Sequence, residues 1–146
     1  MIAIGSDHAG YGLKQKVMEH LKEQGLEFKD YGTYSEASCD YPDFAETVAR
    51  AVADGTADRG VLICGTGVGM SIAANKIKGI RAGVCTDATM ARLIAAHNDA
   101  NILCLGERIV GPELAKDILS AYLSARFEGG RHAKRVDKIR EIEKRG

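Results

Sequence analysis

At 146 residues, the chain fits a single domain, 1–146, that buries roughly two thirds of the surface its unfolded form exposes. Lysine plus arginine equal aspartate plus glutamate at 20 each, so no net charge recruits nucleic acid or an anionic membrane. No apolar stretch reaches membrane-spanning length, and no signal peptide precedes the first apolar run. Four cysteines without the paired spacing of metal sites are expected to stay reduced, so we expect a cytoplasmic protein.

Short apolar runs rich in β-branched residues alternate along the chain with segments of helical period. The runs predicted as strands are residues 2–5, 26–30, 60–64, 80–85 and 102–105. Helices are predicted around 13–21, from 41, through 71–76, over 87–97, from 112 and over 131–144. This alternation predicts an α/β fold, a three-layer Rossmann-like sandwich around a five-stranded parallel sheet.

The last predicted helix has a narrow apolar stripe but no strand after it to pack against. The stripe contains Ala133, Val136, Ile139 and Ile142, and the chain from Arg126 onward carries eight basic residues against four acidic ones. Docking on a second subunit would bury this stripe, so residues 128–146 are predicted to form the dimerisation helix of a homodimer. A helix folded back on its own domain is the alternative.

In doubly wound folds, ligands bind beyond the carboxyl ends of the strands. Polar residues follow four of the predicted strands, and we expect them to gather at one edge of the sheet. They are Asp7-His8, Cys64-Gly65-Thr66, Thr86-Asp87 and Glu107-Arg108.

The most informative segment is 61–71, where an apolar strand ends at Cys64 and a glycine-rich turn follows. Backbone N–H groups in such a turn can converge on a negative charge, and a nearby helix N-terminus favours a thiolate. We therefore interpret Cys64 as reactive, whereas Cys85 and Cys104 are interpreted as core residues. A turn that needs glycine only for steric reasons is the alternative.

A nucleotide-binding module is a second interpretation of this turn. The P-loop pattern fails because no Gly-Lys-Ser/Thr sequence follows the glycines. The dinucleotide pattern fits poorly, since the third glycine comes one residue early and the turn follows the third strand. Asp87, however, stands at about the spacing of a ribose-binding acid, which leaves this interpretation open.

Histidine and arginine residues supply further candidates. His97 precedes Asn98 at a predicted helix end, where an imidazole is either a helix cap or a general acid or base. Arg131 and Arg135 are spaced to project from one helical face, as a phosphate clamp or as a basic surface, and Arg108 is a third candidate.

Taken together, these segments resemble the type B ribose-5-phosphate isomerases, which are grouped with the subunits of galactose-6-phosphate isomerase. The resemblance covers nearly the whole chain. Its carriers, in order, are residues 5–10 (GSDHAG), 40–42 (DYP), 63–69 (ICGTGVG), 71–76 (SIAANK), 97–99 (HND), 106–108 (GER) and 128–132 (EGGRH).

The resemblance implies an enzyme that moves a proton between C1 and C2 of an open-chain sugar phosphate. It implies Cys64 as the base, Thr66 as a hydroxyl assisting the transfer, and His97 as the acid that opens the ring. The backbone of Gly65, Gly67 and Gly69, together with Thr66 and Val68, would hold the enediolate oxygen. The implied contacts to the rest of the substrate are Asp7, His8, Tyr41, Asn98, Arg108, Arg131 and Arg135.

By the same resemblance the site is shared between two subunits of a homodimer, which can pair into a dimer of dimers. Isomerisation involves no redox or hydrolytic step, so no cofactor and no metal are expected. The expected reaction interconverts D-ribose 5-phosphate and D-ribulose 5-phosphate. Six-carbon sugar phosphates and rare aldoses present the same reacting carbons, and they remain alternatives alongside the non-enzymatic nucleotide-binding module.

Overall fold

Five parallel strands form one sheet in a computed structural model that describes all of residues 1–146. The strands are β1 (Ile2–Ser6), β2 (Phe28–Asp30), β3 (Arg59–Cys64), β4 (Ala82–Val84) and β5 (Ile102–Gly106). Their order across the sheet is β2-β1-β3-β5-β4, and every pairing is parallel. The predicted five-stranded parallel sheet is confirmed.

The chain has six α-helices, and the first five cover the two faces of this sheet. The helices are α1 (Tyr11–Glu23), α2 (Tyr41–Ala53), α3 (Val68–Ala74), α4 (Ala88–Asn98), α5 (Pro112–Ser124) and α6 (Arg131–Arg145). The apolar sides of α1, α4 and α5 pack on one face, while those of α2 and α3 pack on the other. Alternate strand residues serve the two cores, because successive side chains of a strand point to opposite faces: Ile4 faces the first core and Ala3 the second.

Two strands are shorter than the sequence pattern predicts, because backbone hydrogen bonds use their first residues in turns. Leu26 N–H donates to the carbonyl of Leu21 and closes the end of α1, so β2 begins only at Phe28. Ile80 N–H likewise donates to the carbonyl of Ile77 in the turn after α3, and β4 begins at Ala82.

The C-terminal helix lies outside both cores and packs on α4. Val136 is buried, whereas Ile139 and Ile142 remain 45% and 61% exposed. The predicted apolar stripe is therefore only partly covered by the chain's own domain. No helix of the structure combines the length and the apolar character needed to cross a bilayer.

Candidate active site

A cleft of about 500 Å³ opens at the carboxyl edge of the sheet, beyond β1, β3 and β5. It is lined by Asp7, His8, Ala9, Tyr41, Cys64, Gly65, Thr66, Val68, Gly69, Ile72 and Arg108. The structure thus brings together most of the site residues predicted from the sequence, and the predicted Gly67 lies buried within the same turn. Sequence reasoning missed Ala9 and Ile72; the signal for Ile72 was its position one helical turn after Val68.

The strand order explains why the cleft forms here. After β1 the chain crosses to β2 on one side, and after β3 it crosses to the strands on the other side, so β1 and β3 flank the switch point of the sheet. In the register of the sheet, Ser6 pairs with Ile63 and Cys64 pairs with Gly106. The residues that directly follow these positions therefore meet at one edge.

Cys64 ends β3, and its Sγ accepts a hydrogen bond from the backbone N–H of Gly67 at 3.1 Å. The residue is 5% exposed, and that exposure opens into the cleft. An N–H donor aimed at a sulfur stabilises negative charge on it, which is what a catalytic thiolate needs. Two residues on, the hydroxyl of the exposed Thr66 accepts a hydrogen bond from Val68 N–H at 3.2 Å.

Close approaches of other groups require glycine at positions 67 and 69 of the turn. Gly67 has φ +83°, in the left-handed region, and a β-carbon there would stand 3.0 Å from the backbone of Leu105. A β-carbon on Gly69 would stand 2.6 Å from the ring of Tyr41. One on Gly65 would lie 3.4 Å from the guanidinium of Arg108. The turn therefore lets Tyr41 and Arg108 press against its backbone, where they form two walls of the cleft.

Asp7 and His8 follow β1 on the opposite wall. The Asp7 carboxylate accepts a hydrogen bond from Gly10 N–H at 3.1 Å, which caps a 3₁₀ turn over His8–Gly10 just before α1. Asp7 is therefore the N-cap of this turn. His8 Nδ1 accepts a hydrogen bond from the backbone N–H of Cys39 at 3.2 Å. Because Nδ1 is the acceptor, the proton of the neutral ring resides on Nε2, which makes His8 a donor at the cleft.

The remaining cysteines differ from Cys64 in their surroundings. Burial raises the pKa of the Cys85 thiol to about 11, and it also raises the pKa of Cys104. Both side chains belong to the hydrophobic cores and stay protonated at neutral pH. Cys39 is half-buried beside His8, and all four thiols are free.

A second group of predicted site residues does not line the cleft of the same chain. His97 and Asn98 end α4, while Arg131 and Arg135 are exposed on the first turns of α6. Every arginine salt bridge in the chain involves Arg50, Arg81 or Arg140 instead. The guanidinium groups of Arg131 and Arg135 therefore have no carboxylate partner within the chain.

Two carboxylates among the four polar segments predicted at this edge, Asp87 and Glu107, do not line the cleft, although Arg108 of the last segment does. Asp87 accepts a hydrogen bond from Met90 N–H at 2.8 Å and caps α4. The carboxylate of Glu107 accepts the backbone N–H of Leu13 and ties β5 to α1. The N-terminus of its own helix, α4, thus engages Asp87, and the N-terminal turn of the distant α1 engages Glu107, so neither residue lines the cleft with Cys64.

One trio of side chains has the composition of a metal site. His97, Glu128 and His132 place one ligand atom each within 4.8 Å of one another. The two imidazole rings, however, stack with centroids 4.0 Å apart and planes 7° from parallel. A metal bound about 2.0–2.1 Å from a histidine nitrogen lies in that ring's plane, so it would stand far out of the plane of the second ring. The geometry suits a stacked pair better than a pair of metal ligands.

Comparison with known proteins shows to which family this chain belongs. A protein-family model described as Ribose/Galactose Isomerase matches residues 2–139. The chain belongs to this family. Ribose-5-phosphate isomerase B of Escherichia coli strain K12 is 55% identical over 144 residues, covering 99% of this chain and 97% of that protein. The solved structure of ribose-5-phosphate isomerase B from Clostridium thermocellum is 60% identical, with a TM-score of 0.98 and coverage of 99% and 97% of the two chains.

Within the family, sequence similarity extends to an enzyme named for a different substrate. D-erythrulose-4-phosphate isomerase of Pectobacterium atrosepticum is 47% identical over 140 residues, covering 94% of this chain and 91% of that protein. The resemblance to the ribose/galactose isomerase family and the interpretation of the chain as an isomerase are confirmed. The roles of individual site residues remain predictions.

Proposed function

We infer that this protein is an aldose–ketose isomerase that interconverts D-ribose 5-phosphate and D-ribulose 5-phosphate. The single observation that carries the chemistry is the Cys64 thiol, which lies in the cleft and accepts the amide hydrogen of Gly67. The ribose-5-phosphate isomerases B described above cover nearly the whole chain at 55% and 60% identity, which supports the same substrate.

In the proposed proton transfer, the Cys64 thiolate takes the C2 proton of the open-chain aldose. The C2–H electron pair becomes the C1–C2 double bond, and the carbonyl oxygen on C1 takes up the negative charge. Return of the proton to C1 and transfer of the O2 proton to O1 give the ketose. Backbone N–H groups of the 65–69 turn would hold the charged oxygen, a stabilisation that is typically worth about 3–4 kcal/mol per donor.

Ring opening must come first, because ribose 5-phosphate is mainly a closed furanose with no free carbonyl. We assign this step to His97, which would donate a proton to the ring oxygen while the bond from that oxygen to C1 breaks. The C1 hydroxyl proton passes to water, and solvent restores the proton on the imidazole. Asp7, buried beside the cleft mouth, would bind the sugar hydroxyls.

The phosphate end would be held by the donor His8 and by the unpaired guanidinium groups of Arg131 and Arg135. Arginine suits this role because its planar fork of N–H groups matches two phosphate oxygens. Tyr41, Asn98 and Arg108 would complete the walls around the sugar.

A site shared between two copies of the chain reconciles these roles with the structure. Cys64, Asp7 and His8 line one cleft, whereas His97, Arg131 and Arg135 lie on another part of the same chain. Exposed apolar residues accompany both parts of the site: Ile72, in the cleft, is 60% exposed, and Ile142, which shares a pocket with Asn98, is 61% exposed. We propose a homodimer in which His97 and residues 128–146 of one copy help complete the cleft of the other.

The activity is tested with Cys64→Ala and Cys64→Ser variants of the full chain. Wild type should convert ribose 5-phosphate to ribulose 5-phosphate, and both variants should lose turnover while keeping an unchanged circular dichroism spectrum. Full turnover by Cys64→Ala would refute the base assignment. A substrate panel should include ribose 5-phosphate, allose 6-phosphate, galactose 6-phosphate and erythrulose 4-phosphate, since a 47% identical relative is named for the last of these.

The shared site is tested by mixing two inactive variants, Cys64→Ala and His97→Asn. In a mixed dimer, one cleft keeps both an intact cysteine and an intact histidine, while the other loses both. Unfolding and refolding an equal mixture should therefore restore about a quarter of wild-type activity, since half of the dimers are mixed and each has one intact site. A site built within one chain would restore none.

A further inference from the structure

His97 is held in a cluster with two side chains that the proposed reaction does not yet use. The carboxylate of Glu128 faces the edges of two imidazoles, with one oxygen 3.6 Å from His97 Nε2 and the other 3.6 Å from His132 Nε2. The ring of His132 stacks on that of His97, with centroids 4.0 Å apart. Only 13% of the His132 side chain is exposed.

Backbone contacts also hold this cluster in place. Glu128 N–H donates to the carbonyl of Ala96 at 2.9 Å, which attaches the segment after α5 to the last turn of α4. Gly129 and Gly130 then take φ of +70° and +55°, values that a residue with a β-carbon rarely adopts. The chain reverses direction at these glycines, and His132, in the first turn of α6, therefore lies over the ring of His97.

The surroundings of the cluster disfavour a proton on His132. Glu128 supplies the negative charge, and the carbonyl end of α4 adds to it. Burial, followed by the positive charges of His97 and Arg131, lowers the pKa of His132, and Arg135 acts in the same direction. On the far side of the α4 terminus, Asp99 is engaged by Arg81 and Arg140. The lowered pKa of His132 disfavours a proton on that ring, so His132 can stack on His97 without adding a positive charge to the cluster.

We propose that Glu128 and His132 are positioning residues for His97, holding it protonated and oriented as the acid that opens the sugar ring. This inference rests on the proposed function. Glu128 stabilises the imidazolium by charge, and His132 limits the rotation of the ring by stacking. Neither residue donates a proton to the substrate, and both act before the proton transfer at Cys64.

The proposal predicts a separation of two steps that can be measured independently. Ribulose 5-phosphate cannot close to a furanose, because its 5-oxygen carries the phosphate, so it binds as the open chain. Exchange of its C1 proton with D₂O reports the step at Cys64 alone. Net conversion of ribose 5-phosphate requires ring opening as well. A defect in His97 positioning should slow conversion and spare exchange.

The test uses Glu128→Gln, which keeps the shape of the side chain and removes its charge. Glu128 is 55% exposed, so this variant should fold normally. Glu19→Gln, an exposed change on α1 outside the proposed shared site, is the control for loss of one charge. Conversion by Glu128→Gln should fall about tenfold or more, a part of the 10²–10⁴ that a general acid contributes. Its C1 exchange and the control variant should stay within about twofold of wild type.

Three further readouts distinguish positioning from loss of structure. The pH above which conversion declines should be lower in Glu128→Gln, because the imidazolium loses its carboxylate. Adding Glu128→Gln to His97→Asn should cause no further loss of conversion, since the two residues act as one unit. His132→Phe, which keeps an aromatic face, should retain more conversion than His132→Ala.

The outcomes separate this inference from the proposed function. If wild type does not isomerise ribose 5-phosphate, the proposed function fails. If wild type is active but Glu128→Gln loses conversion and exchange equally, or loses neither, the positioning role is overturned. An additive loss in the His97→Asn background would overturn it as well.

Discussion

The backbone N–H of Gly67 points at the Sγ of Cys64, three residues earlier, across 3.1 Å. This hydrogen bond depends on the left-handed backbone of Gly67, whose φ of +83° turns the chain back toward the end of β3. The Gly67 N–H contact to the sulfur, which would stabilise a thiolate, therefore depends on a backbone conformation that residues with a β-carbon rarely adopt.

Gly67→Ala should damage both stability and activity. The left-handed conformation costs an alanine about 1–2 kcal/mol. The new β-carbon would also meet the Leu105 backbone at 3.0 Å, which adds a further loss of about 1–3 kcal/mol through overpacking. Urea denaturation and turnover of ribose 5-phosphate measure the two effects.

Gly55→Ala is the matched control, because Gly55 has the same φ of +83° and a β-carbon added there would have no atom within 4 Å. This variant should lose only the stability that the left-handed conformation costs an alanine, about 1–2 kcal/mol, and it should keep full turnover. Equal losses of stability in the two variants would contradict the steric explanation for Gly67.

Gly69→Ala should disturb the site through Tyr41. A β-carbon on Gly69 would stand 2.6 Å from the tyrosine ring, and Tyr41 is 40% exposed, so the ring can move outward. We expect a rise in KM with a stability loss of no more than about 1–3 kcal/mol. Steady-state kinetics of Tyr41→Ala and of the double variant complete the measurement. The double variant should match Tyr41→Ala, and any additional loss would show that Gly69 acts independently of the ring.

Arg135→Ala should weaken binding of the phosphorylated substrate more than it slows the chemistry. Loss of a charge-assisted contact of about 1.5–3 kcal/mol corresponds to a rise in KM of about tenfold or more. Arg131→Ala should behave similarly, since the two residues share one face of α6. Lys138→Ala removes an exposed charge further along that helix and should change KM little. An unchanged KM in Arg135→Ala would exclude a phosphate contact.

The buried thiols should make stability fall at alkaline pH. The pKa of Cys85 is raised by burial from an ordinary value of 9.0 to about 11, so between these values the unfolded chain gives up a proton that the folded chain keeps. Its contribution to stability is therefore complete below pH 9 and lost as pH rises toward 11. Cys104, whose pKa burial raises as well, acts in the same direction.

Urea denaturation from about pH 8 to about pH 11 measures this dependence. Cys85→Ala should flatten the decline relative to wild type, whereas Cys39→Ala, at a half-buried position, should leave it unchanged. An identical decline in Cys85→Ala and wild type would assign the effect to other groups.

Local sequence patterns predicted the layers of the fold and most of the residues that line the cleft. The apolar strand ending at Cys64 and the glycines after it have a distinctive pattern because burial, strand period and close backbone approach each restrict the residues allowed there. The same logic placed Asp7 and His8 at the end of β1. Asp87 and Glu107 lie outside the cleft because helix N-termini engage their carboxylates, one within α4 and one on the distant α1, and the sequence does not indicate which carboxylates are left free.

The sequence by itself determined the alternation of strands and helices, the reactive cysteine turn and the candidate histidine and arginines, since each depends on neighbours within a few residues. Only the tertiary structure decided which of them meet. It placed Cys64, Asp7, His8 and Arg108 around one cleft, and it stacked His132 on His97 with Glu128 facing the edges of both rings. Such contacts depend on strand order and on the path of α6, which arise from long-range packing that no local pattern encodes.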